Sequence, residues 1–429
     1  MRALLKHTDF MQLIFGRILT NTADSIYFIT TMWLIYDITK SSALTGLLSS
    51  LILVPKCLQM FYGPIIDHFS LKKILIHSQT VQAVLVGIIA ILLFFHYENA
   101  ILIIILVVTA AMVGEISYPI SNKLVPVLLP KDKIVSGNAM MSFSNQSMDL
   151  VLNTVITILI SLVSIYTLYV MNTIIFISAA VIYAMIKVQS QKSTDSTLDF
   201  KTYIKSLSEG LYTVRHSLLW IFQIGAFAVN FGIGVVYTAL PVLSHYLNQP
   251  IYYGLFLSAI SLGMVLSTLV VGYVKKYPFG KLMVVTFILS GVFLLLGFVT
   301  PIYIFIILFG LSWLSVGLAN ILFLSAGQAI IPEYILGRIT SITSSLGVIG
   351  LPLGSLIGGF LLELMNPIAL ISITGCFFIV LGIIWLVHPK LNKLRPIDLL
   401  TLDDFEISVD NKNIDIKNDA LGSLIRASF

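Results

Sequence analysis

The sequence predicts an all-α membrane protein with about twelve transmembrane helices. Hydrophobic residues make up 58% of its 429 residues, and the mean hydropathy is +0.99. Only 10% of the residues are charged. Long apolar stretches recur along the chain, each able to supply the ~20 residues that a bilayer core of ~30 Å requires. These stretches are continuously apolar rather than alternating, which predicts spanning helices and not a β-barrel.

Each predicted span is placed by the centre of an apolar stretch. The centres lie near Asp24, Lys56, Val84, Ala110, Met148, Phe176, Asn230, Leu262, Ile288, Leu314, Ile349 and Phe377. An even number of spans places both termini on one side of the membrane.

The distribution of basic residues predicts which side that is. Apart from Arg17, Lys40 and Lys56, the Lys and Arg residues lie at the termini and in alternate connections. This asymmetry is the positive-inside pattern, so we expect both termini in the cytoplasm and the protein in the cytoplasmic membrane. Contact with anionic lipid accounts for the net charge of +5, so no nucleic-acid partner is predicted.

Two polar segments divide the chain into predicted domains. Residues 189–216 form a cytoplasmic linker between an amino-terminal six-helix bundle, residues 1–188, and a carboxyl-terminal bundle, residues 217–389. Within the linker, Leu207, Leu211 and Val214 share one face, which predicts an amphipathic surface helix. Residues 390–429 are polar and predict a cytoplasmic tail with partial disorder.

The connection after the second span carries a recognisable pattern. Gly63 is followed by Asp67 and then by Lys72, while His68 and Ser70 depart from the pattern. With two six-span halves, this segment resembles the major facilitator superfamily, in particular its macrolide efflux and enterobactin exporter branch. The resemblance covers residues 1 to about 390 and implies a cytoplasmic latch at Gly63, Asp67 and Lys72; the alternative is an ordinary positive loop.

Other segments agree with the branch or depart from it. Residues 209–216 resemble its approach to the seventh helix, and Gly337 with Arg338 resembles its approach to the eleventh. The fifth span lacks the glycine- and proline-rich motif of many proton-linked exporters. The eleventh span instead carries closely spaced small residues, which predict tight packing or a bend: Gly350, Pro352, Gly354, Gly358 and Gly359.

Four charged residues interrupt the apolar stretches of the first half. Such groups are costly in a membrane and are typical of proton or ion pathways. We therefore predict proton-coupling roles for Asp24, Asp149 and Glu115, with Lys56 as the charge partner of Asp24 or Asp149. The alternative for each is a static structural contact. Arg17, nearer the helix end, is expected to be structural and to extend to the interface.

The resemblance also implies a substrate site near the midplane between the halves. Candidate cavity residues are Asn21, Asn230, Tyr237, Trp313 and Asn320. An aromatic ring such as that of Trp313 can stack on a flat substrate, although core packing is an equal alternative.

These observations favour a secondary transporter, one that exports amphipathic small molecules of the drug, macrolide or siderophore class by proton-coupled alternating access. The chain carries no phosphate-binding loop and no hydrolase motif, so neither an enzyme nor a cofactor is predicted. Cys57 and Cys376 are isolated packing residues without metal-ligand spacing. The alternatives are a lipid or lysolipid transporter or flippase and a non-transporting sensor or scaffold. Protons, membrane lipids and the substrate are the expected partners of a monomer.

Overall fold

The computed structural model describes residues 6–58, 70–130, 162–187, 211–330, 333–401 and 403–405, with residue 208 and scattered positions between 133 and 160. These residues are almost all helical. The α-helices are α1 (Thr8–Thr39), α2 (Ser42–Cys57), α3 (Leu71–Phe94), α4 (Ala100–Gly114), α5 (Ser117–Leu128), α6 (Ile165–Met185), α7 (Leu219–Tyr246), α8 (Ile251–Val274), α9 (Phe279–Leu295), α10 (Ile302–Ile330), α11 (Glu333–Val348), α12 (Gly350–Leu361) and α13 (Pro367–Val387).

Within the described residues, 9 helical segments are long and apolar enough to cross a membrane. They comprise α3, α4 continued into α5, α6, α7, α8, α9, α10, α11 continued into α12, and α13. α1 is long enough to span, with 32 residues, but it carries more polar side chains, and α2 has 16 residues. The predicted fifth span, centred on Met148, falls mostly outside the described residues. The fold class is the predicted all-α membrane class, and the full count of twelve stays a prediction.

Alternate connections gather on opposite sides of the bundle. On one side, Lys133 Nζ lies 3.0 Å from His7 Nε2, and the Lys187 N–H donates to Asp9 Oδ1 at 2.9 Å. We call this side the terminal face. On the other side, the connections that follow α1, α7 and α12 line one cavity that includes Lys40, Asn248 and Glu363. We call this side the Lys40 face.

The small residues of the eleventh span produce the predicted close packing. α11 and α12 meet at Ile349, whose backbone stays in the right-handed helical region. A Cβ added to Gly354 would overlap the Phe231 carbonyl of α7, and one added to Gly359 would lie 2.8 Å from the Gly46 Cα of α2. Side chains larger than hydrogen would therefore separate these helices.

The segment after α13 is described at residues 391–401 and 403–405, where it forms three short 3-10 helices, and the rest of the tail lies outside the described residues, so partial disorder stays a prediction. Leu391 and Phe405 are buried, because this segment packs its apolar side chains beneath the carboxyl-terminal half. The Leu218 N–H donates to the Phe405 carbonyl at 2.9 Å, and the Phe279 N–H donates to the Arg395 carbonyl at 3.2 Å. The segment thus ties the start of α7 to the start of α9. We call it the strap.

Part of the predicted linker helix is described. Residues 211–215 are helical, with Val214 fully buried and Leu211 42% exposed. Leu207 lies outside the described residues. Val214 is buried in the core of the carboxyl-terminal half, so the end of the linker is anchored there.

Candidate functional site

Asp24 lies in the middle of α1 and is half-buried. Its Oδ1 accepts a hydrogen bond from Gln82 Nε2 of α3 at 3.2 Å, and Gln82 is fully buried. A buried amide beside a carboxylate satisfies polar atoms that the bilayer would otherwise leave unpaired. The contact positions the Asp24 carboxyl toward the interior of the amino-terminal half.

The hydrogen bonds continue from Gln82 toward the terminal face. Gln79 Nε2 donates to Gln82 Oε1 at 3.1 Å, and Thr20 Oγ1 donates to Gln79 Oε1 at 3.0 Å. The Tyr183 hydroxyl of α6 lies 3.2 Å from Thr20 Oγ1. We call these four residues the amide network. It joins α1, α3 and α6 through side chains that are each fully buried.

One serine hydroxyl and two glycines contact the side chains of the amide network. Ser117 Oγ of α5 accepts from Gln79 Nε2 at 3.3 Å. A Cβ on Gly16 would overlap the Tyr183 ring, and one on Gly114 would overlap the Gln82 amide. The absence of a side chain at both glycines is what allows Tyr183 and Gln82 to approach.

Arg17 is the buried cation nearest in sequence to this network. Its side chain is 2% exposed, and its Cζ lies 3.6 Å from the centre of the Tyr118 ring. Its Nη2 has no hydrogen-bond partner among the described residues. The expectation that Arg17 extends to the interface is therefore wrong, because the Tyr118 ring holds the guanidinium inside the bundle.

Arg17 and Asp24 lie on one face of α1. Seven residues separate them, which is about two helical turns and ~10 Å along the axis. Arg17 is buried, whereas Lys56 is exposed. Because opposite charges attract more strongly away from water, we take Arg17 rather than Lys56 as the candidate counter-charge of Asp24.

Lys56 lies in the last turn of α2 and is exposed. Between the two described side chains of Lys56 and Asp24 there is no ion pair. Asp24 instead accepts a hydrogen bond from Gln82, and Lys56 is exposed, so the predicted pairing with Asp24 is not formed. Asp149 lies outside the described residues, and a Lys56–Asp149 pair stays a prediction.

Glu115 is the other predicted proton-coupling residue that the structure describes. It lies at the break between α4 and α5, where its N–H donates to the Ala111 carbonyl at 3.1 Å. The neighbouring Gly114 packs against Gln82. Asp24 accepts directly from the Gln82 amide, and Glu115 directly follows the glycine that packs against the same amide.

The candidate cavity residues divide into several environments. Tyr237 of α7 contacts Phe28 of α1 edge-on at 6.3 Å, across the two halves. Trp313 is 4% exposed and lies 6.4 Å from Tyr237, so it packs within the carboxyl-terminal core. The other three are Asn21, which is 8% exposed, Asn230, which donates to the Ala226 carbonyl of its own helix at 2.9 Å, and Asn320, which is exposed.

The predicted latch is described only at its basic end. Lys72 Nζ donates to the Ile186 carbonyl at 2.7 Å, a contact within the amino-terminal half. Gly63 and Asp67 lie outside the described residues. The structure thus shows an intra-half role for Lys72, and a contact of Asp67 with the facing half stays a prediction.

An aromatic cluster between the halves was missed by sequence reasoning. The Trp33 ring of α1 stacks on His245 of α7 at 4.0 Å, and Tyr36 and Tyr253 flank this pair. Such rings occur throughout the apolar spans, so only tertiary structure singles these out. A sequence signal did exist for the amide network, because Gln79 and Gln82 stand three residues apart in an otherwise apolar helix.

The profile of the transmembrane secretion effector family matches residues 2–420. The chain is 25% identical over 410 residues to an uncharacterized MFS-type transporter, YvqJ, of Bacillus subtilis (strain 168), covering 91% of this chain and 95% of that protein. It is 23% identical over 400 residues to macrolide efflux protein A of Streptococcus pyogenes, covering 86% and 93% respectively.

Solved transporters share the fold at low sequence identity. The nucleoside transporter NupG superposes with a TM-score of 0.70 at 14% identity, covering 88% of this chain and 98% of that one. A bacterial homologue of the iron transporter ferroportin, in an inward-facing state, gives a TM-score of 0.67 at 14% identity, covering 89% and 99%. The family match spans nearly the whole chain, and the chain therefore belongs to the transmembrane secretion effector family of major facilitator superfamily transporters.

Proposed function

We propose that this transporter is a proton-coupled exporter of amphipathic small molecules, with Asp24 as the coupling carboxyl. The observation that carries the proposal is the placement of Asp24 at the end of a buried hydrogen-bond network, on the same face of α1 as the buried Arg17. Similarity to macrolide efflux protein A supports the substrate class. A carboxyl at mid-depth between aqueous access from either side can take and release a proton during alternating access.

The charge balance around Asp24 supplies the coupling. Ionised Asp24 lies two turns from the buried Arg17 cation on the same face of α1, where it partly offsets that charge, and it accepts a hydrogen bond from Gln82. Protonation of Asp24 removes this negative charge and leaves the positive charge of Arg17 uncompensated. The two protonation states therefore favour different arrangements of the helices that carry Arg17 and Gln82, which is the requirement for coupling protons to a conformational change.

We propose further that the terminal face is cytoplasmic, in the cytoplasmic membrane, because the basic residues concentrate there. In this orientation the Lys40 face is external. Asp149 and Glu115 are secondary candidates for the proton site, and Gly63, Asp67 and Lys72 form the cytoplasmic latch. The protein acts as a monomer, and its substrate binds between the halves near Tyr237, where Phe28 of the other half makes contact.

The test is substrate accumulation in everted membrane vesicles, with and without an uncoupler of the proton gradient. Wild-type protein should accumulate a fluorescent amphipathic cation or a macrolide, and the uncoupler should abolish the accumulation. Asp24→Asn removes the titrating group while keeping the size of the side chain, so it should abolish uphill transport and retain exchange of substrate across the membrane. Asp149→Asn is the matched comparison.

Two results would contradict the proposal. Full uphill transport by Asp24→Asn, together with its loss in Asp149→Asn, would move the proton site to the fifth span. Movement of lysolipid but of neither probe would favour the lipid-transporter alternative.

A further inference from the structure

The amino terminus of α2 is capped from the opposite half of the protein. Glu363 Oε1, in the connection between α12 and α13, accepts hydrogen bonds from the Ala43 N–H at 3.2 Å and from the Ser42 hydroxyl at 3.1 Å. The Ser41 hydroxyl donates to the same oxygen at 3.4 Å. The first N–H groups of a helix lack intrahelical partners and carry partial positive charge, so a carboxylate there is stabilised. One carboxyl group thus joins the two halves at the Lys40 face.

Below this carboxylate the two halves meet through small residues. A Cβ on Gly46 of α2 would lie 2.7 Å from the Gly359 Cα of α12. Ser49 Oγ donates to Ser355 Oγ at 3.0 Å, and both serines are fully buried. Small residues do not interdigitate, and water can take over the hydrogen bonds of their hydroxyls when the helices part. The contact is therefore tight when closed and separable without rotamer changes.

We propose that Glu363 is a releasable latch that holds the two halves together at the Lys40 face. This inference rests on the proposed function, since alternating access requires that face to open in each cycle. The latch contributes three hydrogen bonds and the interaction with the helix terminus in the closed state, all of which are lost on opening. Its strength sets the population of the state closed at this face.

The latch borders an open cavity of about 650 Å³. Water reaches Glu363 from this cavity. The titratable groups that line the same cavity are Tyr36, Lys40, His245 and Tyr246, and Lys40 is paired with Asp37 at 2.7 Å.

Hydrogen bonds from the Ala43 N–H and the Ser42 hydroxyl lower the pKa of the Glu363 carboxyl below its ordinary value. A lowered pKa in the closed state means that the latch acts fully above the ordinary value for Glu, about 4.3, and weakens only as the pH falls through the lowered value. The latch therefore stays engaged at neutral pH, and substrate or Asp24 protonation must drive its release.

The latch is tested by accessibility, independently of transport. In a background with both native cysteines replaced by serine, Ser49→Cys places a thiol in the closed contact. Its rate of labelling by a membrane-impermeant maleimide added from the Lys40 face reports opening. Glu363→Ala should raise this rate about three- to tenfold at neutral pH, and Glu363→Gln should raise it less because an amide oxygen still accepts hydrogen bonds. Glu98→Gln alters another exposed acid on the same face and should leave the rate unchanged.

A second labelling site distinguishes opening of the contact between the halves from a local change around Ser49. Ser355→Cys reports the same contact from the other half and should respond to Glu363→Ala in the same direction. The proposal is overturned if Glu363→Ala leaves labelling unchanged at both sites, or if Glu98→Gln raises it equally. Full uphill transport by Asp24→Asn would count against Asp24 as the coupling carboxyl, while a raised labelling rate in Glu363→Ala would leave the latch proposal intact, so the two failures are distinguishable.

Discussion

Gly114→Ala tests whether Gln82 must contact Asp24. The added Cβ would overlap the Gln82 amide nitrogen and lie 3.0 Å from Gln82 Cδ. Because these atoms are the far end of a flexible side chain, Gln82 moves rather than the helices. The displaced amide then loses the 3.2 Å hydrogen bond to Asp24 Oδ1.

The size of the effect follows from the bond that is lost. A hydrogen bond to a charged group contributes about 1.5–3 kcal/mol. At ~1.4 kcal/mol per factor of ten, the ionised, Gln82-bonded form of Asp24 should become about 10- to 150-fold less favoured. Alanine has a higher helix propensity than glycine, by up to ~1 kcal/mol. This gain offsets part of the cost of displacing Gln82, so the free energy of unfolding should change little. Uphill transport in everted vesicles at neutral pH should fall at least tenfold, with expression near wild type.

Gly87→Ala is the matched control. Gly87 lies on α3, the helix that also carries Gln82. Its added Cβ would lie 3.4 Å from Thr173 Cγ2, which is an ordinary van der Waals distance. The reasoning is refuted if Gly114→Ala and Gly87→Ala transport equally well. It is also refuted if Gln82→Leu lowers transport as strongly in the Gly114→Ala background as in wild type, since the contact should already be absent there.

Three further changes test other parts of the structure. Arg17→Lys should lower uphill transport about tenfold, because a compact ammonium does not lie flat on the Tyr118 ring as a guanidinium does; wild-type transport by this variant would argue against a role for the stacked cation. Asp67→Asn should slow turnover while equilibrium substrate binding is preserved. An unchanged turnover rate would show that the predicted cytoplasmic latch at Gly63, Asp67 and Lys72 is an ordinary loop. Gly280→Ala places a Cβ against the Leu391 carbonyl of the strap, so limited proteolysis after α13 should accelerate, whereas an unchanged digestion pattern would show that the strap is not held there.

The sequence was sufficient for the features that depend on position along a helix. Apolar length predicted the helices that can span a membrane, and the place of Asp24 in the first stretch predicted its position in the middle of α1. The closely spaced glycines of the eleventh span predicted tight packing or a bend, and tight packing occurs between Gly359 and Gly46. Each of these properties depends on the local sequence alone, or requires only that another helix lie close, whichever helix that is.

Partner identity could not be read in this way. Lys56 was an obvious counter-charge, yet side-chain direction depends on the rotation of each helix about its axis, which apolar composition on all sides leaves undetermined. Arg17 offered a signal that was overlooked, since seven residues place it on the same face as Asp24. Glu363 gave none, because its role depends on which helix terminus of the other half lies opposite.

The contact between Phe28 and Tyr237 links the proposed proton site, Asp24, to the closure of the Lys40 face. Phe28 is one turn from Asp24 on α1, about 6 Å along the axis, and its ring meets Tyr237 of the other half at 6.3 Å. The Trp33–His245 stack and the Glu363 cap lie progressively farther toward the Lys40 face. Opening of that face must therefore separate an aromatic pair adjacent to Asp24. A change in the charge of Asp24 that shifts α1 by a fraction of an ångström acts first on this aromatic pair. Through it, the shift also acts on the Trp33–His245 stack and the Glu363 cap.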